Sequence, residues 1–546
     1  MQALVRTIAY ETIGRRERKR RHKAAAEYLE ALGGEELSEV IAAHYVDAYR
    51  LAPGDADAEQ LRDHAKRGLL RAVERARSLA ATGEAERLLR AAIDLTEDPG
   101  ERAQLLEEAG QLTIADGRPG DAIGQFAEAD ELLRELGELH GAARLRARQA
   151  EALFLEGRTD ESVALMEPAY SVLRDREQDA DLAALASQYA RMLGFVDRLD
   201  ESIEPLERAI EIAEQLREWA TLSHALNTKG LVSLSRGRPQ EGRTLLLGAL
   251  RVAEEADDHP TALRAHFNLA YVAQWSDRLQ GGDDQRGLEL SRRIGDRNWE
   301  RAFLMHQAND LFRSGDWDEA LKVAEESAQE AADQFALSAV LHPVATILAW
   351  RGDAEAARLA TERSGFRQDS PDRQARAGWA WSVGMQRMAA GRWAEAAEAT
   401  ASWQETGEAL GMQHPSVKSS FVIWGESSLR AGDAASARAF VARVRALPAG
   451  QLTPYVEANG HRMAALLGEG DDPAAELAMA VATLRRIGFR FDLMLALADA
   501  TEVLPADAGW AAEARIEALE IARELGAVPV IERLESSAVP SAAAGA

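Results

Sequence analysis

The chain of 546 residues contains no cysteine. Disulfides, zinc–thiolate sites and cysteine nucleophiles are therefore all excluded. No apolar run reaches the roughly 18 to 20 residues that a membrane-spanning helix needs, and the start of the chain lacks the basic-then-apolar order of a secretory signal. These absences predict a soluble, cytoplasmic protein that does not bind a membrane.

Proline and aromatic residues are scarce: there are 16 prolines, and aromatic residues make up 6% of the chain. Ala and Leu dominate the apolar residues, whereas β-branched residues are few. This composition predicts an all-α fold. The formal net charge of −26 disfavours nucleic acid as a partner, because a protein needs Lys and Arg side chains to neutralise phosphates.

What the sequence does contain is a repeat. The stretches GRTDESVALMEPAYS at 157–171, DRLDESIEPLERAIE at 197–211 and GRPQEGRTLLLGALR at 237–251 follow one another at intervals of 40 residues. Such regularity indicates tandem helix pairs that each share one turn position. The alignment extends to eleven turn positions, 34 to 41 residues apart: Gly83, Gly117, Gly157, Asp197, Gly237, Asp277, Gly315, Gly352, Gly391, Gly432 and Gly470.

Small residues accompany each turn position. Seven residues before it, ten of the eleven units carry Ala or Gly, as at Ala150 and Gly230, and Met463 is the exception. Five residues after it, most units carry a second small residue, whereas the unit at Asp277 departs from the pattern with Gly282. This spacing resembles the tetratricopeptide repeat, in which two helices cross closely at small residues and the turn residue is left-handed.

The resemblance implies a right-handed superhelix, an α-solenoid of about eleven helix pairs over residues 61–535. Gly, Ser and Pro cluster at 362–378, where we predict a longer loop that divides two lobes. The last residues, 536–546, are predicted to form a disordered tail.

Residues 1–60 do not fit the repeat. Within 15–23, seven basic side chains stand against one acidic residue, Glu17. A contact with nucleic acid or lipid is one interpretation. The other is the solvated face of a helix from about Arg16 to Leu32, with Ala24, Tyr28 and Leu29 facing inward, and helical spacing favours it.

A second resemblance covers VRTIAYETIGRRERKRRHKAAAEYLE at 5–30 and EVIAAHYVDAY at 39–49. These stretches are similar to the junction, at the end of a winged-helix segment, that precedes a tetratricopeptide superhelix in bacterial STAND-type signalling ATPases. Some of those proteins carry a class III adenylate/guanylate cyclase domain in front. The resemblance implies that residues 1–60 are a helical remnant of this junction, and that an ATPase or cyclase domain, in cis or on a separate chain, is a partner.

No phosphate-binding G-x-x-x-x-G-K-[ST] loop occurs in the 546 residues. The chain therefore resembles the sensor half of such a regulator, either split from it or truncated. The eleven histidines show no H-E-x-x-H or H-x-x-x-H spacing, and no G-x-S-x-G elbow is present. We predict no metal, no cofactor and no enzymatic activity.

Three asparagines follow the repeat: Asn227, Asn268 and Asn309 are spaced 41 residues apart on successive first helices. Ten of the eleven tryptophans, among them Trp275, lie between residues 219 and 424, where they either fill gaps between helices or line a groove. We predict that these three asparagines and Trp275 bind a protein or peptide in the concave groove.

The predicted function is a non-enzymatic protein-interaction or ligand-sensing scaffold, the sensor half of a bacterial signal-transduction ATPase/cyclase-type regulator. The alternative is a fragment of a LuxR-type transcriptional regulator whose DNA-binding domain is absent.

Overall fold

The computed structural model describes residue 10 and residues 12–33, 35–79, 81–176, 178–196, 198–279, 282–329, 334–370, 373–469, 472–505 and 509–536. Within these ranges all regular structure is helical, so the all-α prediction is confirmed. None of the helices so described combines the length and the apolar character that crossing a membrane requires. The chain divides into two compact units, Met1–Ala225 and Leu226–Ala546.

The described part of the first unit consists of α-helices joined by short connections, with a 3-10 helix at Glu35–Leu37. The helices are α1 (Arg15–Leu32), α2 (Ser38–Leu51), α3 (Ala58–Ser78), α4 (Thr82–Ile93), α5 (Pro99–Ala115), α6 (Pro119–Glu135), α7 (Leu139–Leu155), α8 (Thr159–Leu173), α9 (Ala180–Phe195), α10 (Ile203–Leu216) and the start of α11 (Trp219–Ser235).

In the second unit, as in the first, most consecutive helices form pairs, each with a first and a second helix joined by a turn. Its helices are α12 (Pro239–Glu255), α13 (His259–Trp275), α14 (Asp283–Ile294), α15 (Arg297–Ser314), α16 (Trp317–Gln329), α17 (Gln334–Trp350), α18 (Ala354–Ser364), α19 (Arg373–Ala389), α20 (Trp393–Thr400), α21 (Trp403–Leu410), α22 (Pro415–Arg430), α23 (Ala434–Ala446), α24 (Pro454–Leu467), α25 (Pro473–Ile487), α26 (Arg490–Val503), α27 (Gly509–Leu525) and α28 (Val528–Ser536).

The turn positions adopt the predicted backbone. Gly117, Gly157 and Gly237 have φ of 78°, 74° and 75°. The φ angles of the later turn glycines, from Gly315 to Gly432, are positive too. Gly83 is a wrong prediction, because it lies in the first turn of α4 and not between two helices. The predicted turns at Asp197 and Gly470 lie outside the described residues.

The close helix crossing depends on the small residues. A Cβ on Gly110 would lie 2.5 Å from the Phe126 ring, and one on Gly242 would lie 2.6 Å from the carbonyl oxygen of Gly230. In the unit at Asp277, Gly282 immediately precedes α14, and a Cβ on Gly287 of α14 would lie 2.1 Å from the ring of Phe303 on α15. These contacts confirm a helix-pair repeat of the tetratricopeptide type.

Some first helices also pack against the first helix of the next pair, as α13 does on α15 and α15 on α17. A twelfth pair, α26 with α27, follows the eleven that the turn positions predict. Nearest-neighbour stacking of this kind buries the apolar face that a single pair would expose.

The basic stretch forms the predicted helix, α1, but of the three residues predicted to face inward only Leu29 packs against the core. Ala26 and Lys19 are buried, whereas Ala24 and Tyr28 are exposed. The Lys19 ammonium bonds to Asp55 at 2.7 Å and to Asp57. The side chain is buried because its charge has carboxylate partners.

The second unit folds back on itself, with its early turns lying against its later helices. The Arg313 guanidinium donates to the Ser419 hydroxyl at 3.0 Å, and the Arg351 side chain donates to the Leu525 carbonyl at 3.0 Å. Tyr455 donates its backbone N–H to the Asp277 carboxylate at 2.7 Å. Contacts between such distant residues are additional to the neighbour contacts of a simple solenoid.

The segment 362–378, where we predicted a seam between lobes, connects α18 to α19 inside the second unit. Residues 371 and 372 lie outside the described ranges. The Phe366 ring fills the place where Gly378 lacks a Cβ, and the Arg376 side chain donates to the Ser370 carbonyl at 2.7 Å. The division into lobes stays a prediction, as do the remnant at 1–60 and the tail at 536–546, of which residues 537–546 are not described.

The left-handed turn provides a stability prediction. Gly237→Val should lower the free energy of unfolding by about 1 to 3 kcal/mol, because a β-branched residue is strained at positive φ. Gly120→Val is the control, since Gly120 is an exposed residue at the start of α6, where the nearest atoms to a Cβ belong to the flexible Glu156 side chain. Equal melting temperatures for the two variants would contradict the assigned turn.

Candidate functional site

The second unit contains a cavity of about 630 Å³ whose lining includes the three tryptophans Trp275, Trp403 and Trp424. Its buried side is apolar, with Leu234, Trp275 and Trp403. Exposed polar side chains complete its wall: Gln404, Glu408, Arg443 and Gln451. We call it the tryptophan cavity; the remaining lining residues are Ser235, Gly237, Gly407, Gly411, Met412, Gln413 and Ala439.

The end of α21 shapes one wall of this cavity. Gly411 follows the helix with φ of 86°, a conformation that favours glycine. A Cβ at this position would lie 3.8 Å from the Trp275 ring, so the backbone itself approaches the indole. The rings of Trp403 and Trp424 are 5.5 Å apart, which makes a second aromatic surface beside the first.

A buried ion pair between Lys418 and Asp277 holds the backbone at Trp275. The Lys418 ammonium donates to the carbonyls of Gln274 at 2.8 Å and Trp275 at 3.2 Å, and it also binds the Asp277 carboxylate. Both charged side chains are almost wholly buried. Burial lowers the pKa of Lys418, and the Asp277 charge opposes that effect. The backbone after Trp275 is therefore held to α22 by charge as well as by packing.

His414 lies beside the Trp275 ring and close to the Lys418 charge. Its ring is 5.6 Å from that of Trp275, and its Nδ1 accepts from the Ser416 N–H at the start of α22. Burial, together with the nearby Lys418 charge, lowers the pKa of His414 to about 3. The imidazole is therefore neutral in the folded protein at physiological pH.

This depressed pKa predicts acid sensitivity. His414 takes up a proton near pH 6.5 in the unfolded chain but only near pH 3 in the folded chain. The folded state is therefore destabilised relative to the unfolded state as the pH falls from about 6.5 to about 3. Between pH 8 and pH 5.5 the free energy of unfolding should fall by about 1.4 kcal/mol less in His414→Asn than in wild type, because asparagine keeps an N-cap acceptor but does not titrate. Urea unfolding at the two pH values measures this difference; identical losses in variant and wild type would contradict it.

A second cavity, of about 880 Å³, shares the side chain of Gln413 with the tryptophan cavity. Arg238, Arg278 and Arg486 are among its lining residues. Arg238 is paired with Glu241 at 2.8 Å, whereas Arg278 and Arg486 are exposed at the surface. We call it the arginine cavity. Next to an aromatic pocket, it provides an environment that suits an anionic group.

The predicted site residues are only partly brought together. Trp275 lines the tryptophan cavity. Asn227 and Asn268 are instead buried between first helices, where the Asn268 amide donates to the Asn227 side-chain oxygen at 2.6 Å. Asn309 donates to the Met305 carbonyl of its own helix at 3.2 Å. The asparagine spacing thus marks contacts between and within helices.

Sequence reasoning missed Trp403 and Trp424 as neighbours of Trp275. They lie more than a hundred residues further along the chain, and only the folding back of the second unit brings them to the same cavity. The clustering of tryptophans in this part of the sequence was a signal, but it does not indicate which of them share a pocket.

No family model matches the chain, and no curated protein matches it. Solved structures with some likeness include a Rap protein complexed with competence and sporulation factor, at 16% identity and a TM-score of 0.41, covering 61% of this chain and 97% of that one. NprR in complex with its cognate peptide NprX shows 15% identity and a TM-score of 0.45, covering 62% of this chain and 97% of the other.

A STAND protein with a tetratricopeptide repeat sensor from Pyrococcus horikoshii shows 12% identity and a TM-score of 0.37. That comparison covers 71% of this chain, and the matched part is 52% of the Pyrococcus chain.

Proposed function

We propose that the protein is a non-enzymatic sensing scaffold that binds a peptide or protein segment in the tryptophan cavity. The observation that carries the proposal is the lining: buried indoles of Trp275 and Trp403 lie beneath a rim of exposed amide and charged side chains. Aromatic anchors surrounded by polar groups are what a specific binding pocket uses for affinity and orientation.

The adjoining arginine cavity supports a ligand of defined polarity. A large apolar side chain suits the indoles, and an acidic group or a terminal carboxylate suits Arg278 and Arg486. The two cavities share Gln413, whose amide donates to the Gly450 carbonyl at 2.7 Å. An extended segment could therefore place neighbouring groups in the two cavities.

The experiment uses random peptides displayed on phage, selected against the full chain. Ala439→Trp fills the tryptophan cavity from an exposed position on α23, and Ala442→Trp adds the same indole to an exposed position outside the lining. Selected peptides should bind Ala439→Trp at least about tenfold more weakly than wild type and should bind Ala442→Trp unchanged. Equal binding to both variants would exclude this cavity as the site.

We further propose that the scaffold is the sensing part of a STAND-type regulator, with an ATPase or cyclase domain as its partner. The support is the resemblance of residues 5–30 and 39–49 to the junction of those regulators, together with helices α1 and α2 placed before the first repeat. Reading the DNA upstream tests this: a frame encoding a P-loop ATPase supports it, and adjacent genes without one contradict it.

A further inference from the structure

Two histidines of the first unit face each other nitrogen to nitrogen. His22 Nδ1 on α1 lies 3.0 Å from His44 Nδ1 on α2. Asp47, one helical turn after His44, places a carboxylate oxygen 3.5 Å from the same His22 nitrogen. Within the described part of the chain, these are the one group of three His, Asp or Glu side chains whose ligand atoms all lie within 4.8 Å of one another.

From this geometry we propose that His22, His44 and Asp47 bind a divalent transition-metal ion, with Zn²⁺ as the ion that fits best. Tetrahedral zinc at about 2.0 to 2.1 Å from each ligand requires ligand atoms about 3.3 Å apart. The separations of 3.0 Å between the two Nδ1 atoms and 3.5 Å between His22 Nδ1 and the Asp47 carboxylate bracket that value. Two imidazoles and one carboxylate are also ligands that zinc accepts, leaving a fourth position for water.

The surroundings of His22 orient the ring for this role. The Tyr10 hydroxyl lies 2.8 Å from His22 Nε2, the nitrogen that faces away from the ligand group. A hydrogen bond on the distal nitrogen sets which ring nitrogen is free to bind a metal. The His22 side chain is also only 13% exposed, so its position is restricted by packing.

Four of the seven basic side chains around His22 have carboxylate partners, which balances part of the positive charge near the ligand group. Arg20 and Arg21 bond to Glu17, and Lys19 and Lys23 bond to Asp57. The Asp47 carboxylate adds a negative charge at the ligand group itself. The two histidines lie on neighbouring helices, so no spacing within one helix, such as H-x-x-x-H, marks the group in the sequence.

Isothermal titration of the EDTA-treated, dialysed full chain with ZnCl₂ tests the proposal. Wild type should bind one equivalent that His44→Ala loses. Removing a group that merely orients a ligand costs about 10- to 100-fold in metal affinity, so removing a ligand should cost at least as much. Asp47→Asn, an isosteric change at a half-exposed position, should weaken binding without affecting the fold.

His140→Ala is the matched control, since His140 pairs with Asp179 at 2.6 Å in the same unit and belongs to no group of three ligands. It should retain the zinc equivalent. Co²⁺ provides a second readout, because its visible absorption reports the ligand geometry in wild type and should disappear in His44→Ala. If His44→Ala and Asp47→Asn bind zinc as wild type does, the two rings simply share a hydrogen bond and the proposal is wrong.

Discussion

Asp277→Gly should lower the free energy of unfolding by about 3 kcal/mol. This loss is expected even though glycine occupies the turn position in every other helix pair of 99–446 whose turn residue is described. Asp277 has φ of 54°, a conformation that glycine adopts without strain. If the residue served only the turn, the substitution would therefore be neutral or stabilising. The expected loss has another origin, the side chain.

The Asp277 carboxylate holds two later helices of the second unit. It binds the Lys418 ammonium of α22 and accepts the Tyr455 N–H at the start of α24. Removing it leaves a lysine that is 2% exposed without its counter-charge, and an uncompensated buried charge costs about 3 to 5 kcal/mol. Relief of the left-handed strain offsets about 1 kcal/mol of that loss.

Asp257→Gly is the control for this substitution. Asp257 has the same φ of 54°, but its side chain is 92% exposed. Its replacement should change stability by less than about 1 kcal/mol. Adding Lys418→Met to Asp277→Gly should recover most of the loss, because the unpaired charge is then absent. Similar urea midpoints for Asp277→Gly and Asp257→Gly would show that the ion pair contributes little.

The repeat was predictable because it depends on residue types that recur. Left-handed turns require residues such as Gly157 and Gly237, and close crossings require small residues such as Gly110, so the same physical demand leaves the same mark in each unit. The choice of buried face in α1 was less predictable, since the Lys19 ammonium is buried only through partners that lie in a different segment.

The folding back of the second unit had no such recurrent mark. It depends on single residues, such as Lys418, Arg313 and Arg351, in helices whose pattern is otherwise that of any repeat. One signal was present in hindsight: Asp277 stands where most units have glycine, but Asp197 does so too, and neither residue indicates a partner. The tryptophan cavity depends on this folding back, and for that reason its lining could not be assembled from the sequence.

Arg462 is the centre of a second buried network in the same unit, and it is 1% exposed. Its two terminal nitrogens donate to Glu426 at 2.7 Å and 2.6 Å, and its Nε donates to Asp499. Asp499 also binds Arg430 and Arg533. Burial alone would raise the pKa of Asp499, but these three guanidinium groups outweigh it and lower that pKa to about 2.

Arg462→Met should therefore lower the free energy of unfolding by about 3 to 5 kcal/mol, because the buried Glu426 carboxylate loses its bidentate partner while the apolar volume is nearly kept. The free energy of unfolding of Arg462→Lys should lie between those of Arg462→Met and wild type, since an ammonium keeps the charge but cannot make the paired hydrogen bonds. Arg485→Met is the control: Arg485 pairs with Glu517 at 2.7 Å on the surface, where such a pair contributes about 0 to 1 kcal/mol. Urea unfolding followed by far-ultraviolet circular dichroism measures all three. Equal midpoints for Arg462→Met and Arg485→Met would mean that the buried network does not stabilise the unit.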